Sequence, residues 1–156
     1  MWGGSDDAQS IATIRCAVER GIYLIDTAPV YGFGHSDGVV GRALEGLREA
    51  GKIRTIGVSN FSREQMDTFR RAASLATVQP PYNIFERAIE RDVLPYAKRE
   101  KLVVLAYGAL CRGLLSGRMT GNATFDGDDL RKSDPKFQPP RFGQYRATVN
   151  ALKALA

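Results

Sequence analysis

GKIRTIGVSNFSREQMDTFRRAASLATVQ, residues 51–79, is the stretch whose reading decides the fold class. Ile53 to Val58 reads as a strand that ends at Ser59-Asn60. Ser62-Arg63-Glu64-Gln65 fits a capping box. In that motif the serine side chain serves the backbone amide three residues on, and the glutamine there reaches back to the amide of the cap. A helix is therefore expected from Arg63 to about Ala73. Thr77-Val78-Gln79 reads as a second short strand, stopped at Pro80-Pro81 because proline offers no N–H to a ladder. Strand, helix and strand in succession make a βαβ unit, whose strands run parallel.

The alternation continues on both sides. Toward the C-terminus a helix is expected around Ile89 to Lys101, then a strand at Leu102-Val103-Val104-Leu105-Ala106. Cys111 to Phe142 lacks steady periodicity and reads as a long loop of functional or mobile type, before a helical pattern from Tyr145 to Ala156. Toward the N-terminus, Ile11, Ile14, Ala17 and Val18 make a helical stripe within Ser5 to Arg20, stopped at Gly21. Ile22-Tyr23-Leu24-Ile25 reads as a buried strand, and a turn at Tyr31-Gly32-Phe33-Gly34 leads to a helix from Ser36 to about Ala50, closed by Gly51. The expected fold is α/β, one domain over residues 1–156 with about four parallel strands and crossover helices. Periodicity alone does not separate a doubly wound sheet from part of a (β/α)8 barrel, but both place ligand chemistry at the carboxyl ends of the strands.

Bulk properties narrow the function. The chain has 156 residues and a net charge of +5, with its basic residues spread rather than blocked, which argues against a nucleic-acid partner. No apolar run approaches the roughly 18 residues of a membrane span. Cys16 and Cys111 have no ligand-type spacing, and the single histidine, His35, builds no metal cluster. Free thiols of a reducing cytoplasm are the expected state.

The strand ends are polar. The first carries Asp26, with Tyr31 five residues on; the second Ser59 and Asn60; the third Gln79; the fourth Tyr107. A tyrosine beside a carboxylate can act as a proton donor once nearby charge lowers its pKa from about 10. Asparagine and glutamine ends suit an amide, and an aromatic ring can stack on a flat heterocycle. The set suits a site that holds a nicotinamide ring and protonates a carbonyl oxygen.

Four segments carry a resemblance. IDTAPVYGFGHSDGVVGRAL (25–44) resembles the aldo/keto reductase segment with the catalytic aspartate and tyrosine. GKIRTIGVSNFS (51–62) resembles the fifth barrel strand of that family and its Ser-Asn pair. VQPPYNIFER (78–87) and LAYGALCRGLLSGRM (105–119) resemble the sixth and seventh strands with the loop over the cofactor. The resemblance implies a partial (β/α)8 barrel and reduction of aldehydes or ketones by hydride transfer from NADPH, or NADH, without a metal. It implies that Asp26 orients and tunes Tyr31, the acid, and that Ser59, Asn60 and Gln79 hold the carboxamide. Tyr107 would stack on the nicotinamide, with Gly108, Ala109, Leu110, Arg112 and Gly113 beside the pyrophosphate.

The pattern departs from the family in one place. Members of the family carry a strand ending in lysine and a later one ending in histidine, but here Gly41-Arg42-Ala43-Leu44 runs directly into Glu45 to Lys52. The third and fourth barrel strands are thus expected to be missing. The first would precede Met1 and the eighth would follow Ala156, so the chain reads as truncated. His35 lies in the turn after Tyr31 and Lys52 precedes its strand, so neither is placed to substitute. Loss of general acid/base assistance lowers rates on the order of 10²–10⁴. The resemblance therefore implies a weakened reductase, a non-catalytic remnant, or a half-barrel that pairs two copies through open sheet edges.

Overall fold

The computed structural model describes residues 6–22, 24–26, 35–44 and 50–155. By internal contacts the chain divides into two compact units, Met1–Pro80 with Arg91–Leu105, and Pro81–Glu90 with Ala106–Ala156.

The first unit opens with helix α1 (Asp7–Glu19), whose N-cap Asp6 accepts from the Gln9 amide at 3.1 Å. Gly21, with φ of 84°, ends it in the left-handed conformation that favours glycine. Helix α2 (His35–Leu44) lies against α1, with Val39 and Ala43 buried and the Arg15 guanidinium donating to the Ala43 carbonyl at 3.4 Å. The expected continuation to Ala50 crosses residues 45–49, which lie outside the described ones.

A parallel three-stranded sheet follows, with order β1 (Gly57–Ser59), β2 (Thr77–Gln79), β3 (Val103–Val104). Helix α3 (Arg63–Ala72) joins β1 to β2, and its capping box is present in both halves: Gln65 Oε1 accepts from the Ser62 amide at 2.8 Å and Ser62 Oγ from the Gln65 amide at 3.3 Å. Helix α4 (Val93–Arg99) is shorter than expected, because Ala88–Glu90 winds as a separate 3₁₀ turn before it. Met66, Val78, Val93, Tyr96 and Ala97 are buried in these elements, with Leu75 buried in the connection between α3 and β2. Tyr96 ties α4 to α3, donating to Asp67 at 2.7 Å and accepting from Arg70, which also pairs with Glu100.

Three of the four expected strands are in this sheet, two of them shorter than expected: β1 keeps Gly57 and Val58 of the expected 53–58 and adds Ser59, and β3 is confined to Val103 and Val104 of the expected 102–106. The fourth, expected over 22–25, is not seen among the described residues: Ile22, Leu24 and Ile25 have no ladder partner among them, and Ile22 and Leu24 are 53% and 69% exposed. Tyr23 lies outside the described residues. An apolar run becomes a strand only where a neighbour supplies hydrogen bonds, and among the described residues none lies on the free side of β1.

The second unit holds the long loop expected over 111–142, and that loop builds a core of its own. Cys111, Leu114, Phe137 and Phe142 form a buried cluster, flanked by Phe85, Leu115, Met119, Phe125 and Tyr145. Three 3₁₀ turns, Leu114–Ser116, Leu130–Lys132 and Pro135–Phe137, fold the segment round it. Helix α5 begins at Arg141, ahead of the expected Tyr145, and runs to Lys153. No helix among the described residues is long and apolar enough to cross a membrane.

Candidate active site at the carboxyl ends of the strands

Register decides what meets in the first unit. Ser59 and Gln79 are paired in the β1–β2 ladder, so their side chains leave the same face of the sheet. Ser59 Oγ lies 3.1 Å from the Gln79 carbonyl and 3.3 Å from Gln79 Oε1. Asn60 leaves the strand with φ of 56°, a left-handed turn that asparagine tolerates better than most residues. Its backbone N–H donates to the Gln79 carbonyl at 3.0 Å, and its side-chain Nδ2 donates to Ser59 Oγ at 3.3 Å.

Asp26 joins this group although the residues described before it form no strand. Gln79 Nε2 donates to Asp26 Oδ1 at 2.9 Å. Four of the expected site residues, Asp26, Ser59, Asn60 and Gln79, therefore form one hydrogen-bonded chain. Its amide, hydroxyl and amide offer donors and acceptors side by side, which is the chemistry a carboxamide requires. Tyr31 lies outside the described residues.

The residues weighed as substitutes have partners of their own. His35 opens α2, not a turn, with Nε2 2.7 Å from Asp7 Oδ1. Lys52 pairs with Glu19 at 3.1 Å. Among the described residues no cation pairs with Asp26.

The second unit carries the remaining candidates. Tyr107 is exposed and forms a parallel bridge with Pro81, while its carbonyl accepts from the Tyr82 amide at 3.0 Å. Gly108 has φ of 71°, and Cys111, Arg112 and Gly113 are left-handed in succession at 47°, 52° and 88°. Only glycine takes this conformation freely, and non-glycine residues held there often mark sites where the surroundings impose a shape. Ala109 and Leu110 lie in the turn between, with the Leu110 side chain exposed. The Arg112 guanidinium lies 3.2 Å from Asp134 Oδ2 and donates to the Leu130 carbonyl at 3.3 Å.

Sequence reasoning did not single out Asn83, which shapes this loop. Buried, it donates to the Gly108 carbonyl at 3.0 Å and to Glu86 Oε2 at 2.6 Å, and accepts from the Phe85 and Glu86 amides. An asparagine two residues after Pro80-Pro81 is a turn signal that could have found it. Lys136 adds ion pairs to Glu86 at 2.8 Å and Asp134 at 3.1 Å. Burial pushes the Glu86 carboxyl up, but the hydrogen bonds from Lys136 and Asn83 leave it below its ordinary value.

Comparison with known proteins follows the same segments. The model of the aldo/keto reductase family matches residues 1–49 and 40–156. The aldo-keto reductase YhdN of Bacillus subtilis (strain 168) is 44% identical over 226 aligned positions, covering 100% of this chain and 68% of that protein. An NADH-specific methylglyoxal reductase of Escherichia coli (strain K12) is 35% identical over 77 residues, 49% of this chain and 24% of that protein. The aldo-keto reductase yakc [NADP(+)] of Schizosaccharomyces pombe is 32% identical over 120 residues, 73% of this chain and 34% of that protein. Among solved structures, a glycerol dehydrogenase from Gluconobacter oxydans superposes with a TM-score of 0.69 at 42% identity, over 99% of this chain and 70% of that one. The alignment to the Bacillus protein has 226 positions against 156 residues here, a difference of 70 positions that carry no residue of this chain.

Proposed function

The chain belongs to the aldo/keto reductase family of oxidoreductases, and on that footing we propose that it holds NADPH by its strand-end amides and reduces small aldehydes or ketones at a lowered rate. The observation that carries this reading is the hydrogen-bonded set Ser59, Asn60 and Gln79, at the carboxyl ends of adjacent parallel strands. Bound there, the cofactor would supply a hydride. Ser59 and the two amides would hold its carboxamide, Tyr107 would lie against the ring, and Gly108, Ala109, Leu110, Arg112 and Gly113 would border the pyrophosphate. Tyr31 would give a proton to the carbonyl oxygen, oriented by Asp26.

The rate is lowered because no lysine or histidine stands at a described strand end. A family match in two overlapping pieces, with 70 unfilled positions in the alignment to the Bacillus relative, supports an internal deletion as the cause. With neither the lysine nor the histidine that the family pattern places at strand ends, general acid/base assistance is lost, and turnover falls on the order of 10²–10⁴ below that of a complete site. The test is loss of NADPH absorbance with a nitrobenzaldehyde substrate. Slow turnover that Tyr31→Phe abolishes supports the reading; equal rates in both proteins overturn it.

A second reading is favoured by the sheet edges. Among the described residues β1 and β3 each pair on one side only, and Val103 on β3 is 57% exposed. An open edge with apolar side chains is a template for strand addition, so a second copy of this chain pairing along β3 is the assembly it suits. Sedimentation that shows a dimer, shifted to monomer by Val103→Lys, supports it; monomer at every concentration ends it.

A further inference from the structure

A carboxylate only accepts hydrogen bonds, whereas a glutamine amide has an oxygen that accepts and a nitrogen that donates. Which way the amide faces is therefore set by its neighbours. Gln79 lies between two of them: its Nε2 is 2.9 Å from Asp26 Oδ1, and its Oε1 is 3.3 Å from Ser59 Oγ. Turned over, the amide would set its oxygen against a carboxylate oxygen. Asp26 thus fixes the orientation, and the fixed oxygen shares the Ser59 proton with the Gln79 backbone carbonyl, at 3.3 and 3.1 Å. Ser59 Oγ is left to accept from Asn60 Nδ2 at 3.3 Å. Every hydrogen bond of the set then runs one way, from Asn60 through Ser59 and Gln79 to Asp26. Chains aligned in this way polarise each successive donor.

We propose that Asp26 is a positioning residue for cofactor binding: by anchoring Gln79 Nε2 it fixes which face of the Ser59, Asn60 and Gln79 set accepts and which donates. The role differs from the orientation of Tyr31 that the family resemblance implies, and it rests on the reading of that set as the carboxamide holder. It predicts that the loss of Asp26 weakens binding as well as turnover. The carbonyl, not the charge, is what Gln79 requires, so an asparagine at 26 with its oxygen toward Gln79 preserves the arrangement.

Two measurements test this on the full chain. In the cofactor-free protein, the side-chain amide resonances of Gln79, identified by their loss in Gln79→Ala, are expected to shift in Asp26→Ala and to stay near wild type in Asp26→Asn. In NADPH titrations, Asp26→Ala is expected to weaken affinity about 2- to 12-fold, the worth of one ordinary hydrogen bond. Asp26→Asn is expected to remain within about 2-fold of wild type, and Asp26→Ala to have no further effect in a Gln79→Ala background, as coupled partners behave. Amide resonances unmoved by Asp26→Ala overturn the proposal, as does an equal loss of affinity with and without Gln79. Absence of saturable NADPH binding in wild type overturns the cofactor reading instead, and the amide resonances then decide the Asp26–Gln79 arrangement alone.

Discussion

The Ser59 hydroxyl lies 3.1 Å from the Gln79 backbone carbonyl and 3.3 Å from the Gln79 side-chain oxygen. One proton thus serves two acceptors on the residue directly across the ladder. Ser59→Ala removes it along with the acceptor that Asn60 uses. The expected result is NADPH affinity weakened about 2- to 12-fold, with a smaller loss of stability because the site is half open to water. Isothermal titration checks the first and urea denaturation the second.

Tyr96 is 1% exposed, and its hydroxyl donates to Asp67 at 2.7 Å while Arg70 lies on its other side. Burial comes first in raising its pKa, so the phenol stays protonated and keeps α3 and α4 joined. Tyr96→Phe retains the ring and removes the hydroxyl. The expected cost is about 0.5–1.5 kcal/mol in urea denaturation, with no change in cofactor affinity.

Gly57 has Thr77 as its ladder partner, and a Cβ built on it would stand 1.9 Å from Thr77 Oγ1 and 3.2 Å from the Thr77 carbonyl. Gly57→Ala should therefore destabilise the chain by about 1–3 kcal/mol, the usual range for overpacking. Thr77→Ala removes the nearer clash and should recover part of that loss. Thermal melts of the single and double variants read both effects, and a neutral Gly57→Ala would contradict the register.

Lys136 stands between Glu86 and Asp134. Burial raises both carboxyls, but hydrogen bonds from Lys136, joined by Asn83 at Glu86 and by the Lys136 amide at Asp134, bring both below their ordinary values. Burial lowers the Lys136 ammonium, and its bonds to the two carboxylates raise it overall. Groups with lowered folded values stabilise fully above the unfolded carboxylate range of about 4 and lose that contribution as pH falls through the folded values. The raised Lys136 contributes below its unfolded value of about 10.4 and loses it as pH rises through the folded one. Melting temperature should therefore be flat near neutrality and fall in acid. Lys136→Met should cost about 1–3 kcal/mol at neutral pH and flatten the acid limb, because Glu86 then has no cation to lose and Asp134 keeps only Arg112. An acid limb of unchanged slope would contradict the assignment.

The features legible in the sequence are those fixed by local chemistry. Ser62 and Gln65 announce α3 because both halves of a capping box lie within four residues, and Thr77 to Gln79 is stopped by Pro80-Pro81. From the strand ends follow Ser59, Asn60 and Gln79, which the ladder register does bring together. Ile22, Leu24 and Ile25 join no strand among the described residues, because their apolar character is local while a hydrogen-bond partner would have to come from elsewhere in the chain. The stretch from Cys111 to Phe142 conceals its core because Phe125, Phe137 and Phe142 follow no period. They meet through 3₁₀ turns, of which two begin at Asp129 and Asp134, each accepting from the amide two residues on. Those aspartates were the available signal.

The most direct test of the account is a titration of the folded full chain with NADPH, followed by its intrinsic fluorescence, beside Gln79→Ala. The account predicts saturable quenching in wild type and an affinity about 10-fold weaker in the variant, the worth of one to two hydrogen bonds. An unchanged spectrum at millimolar NADPH, in protein shown to be folded by circular dichroism, would contradict it.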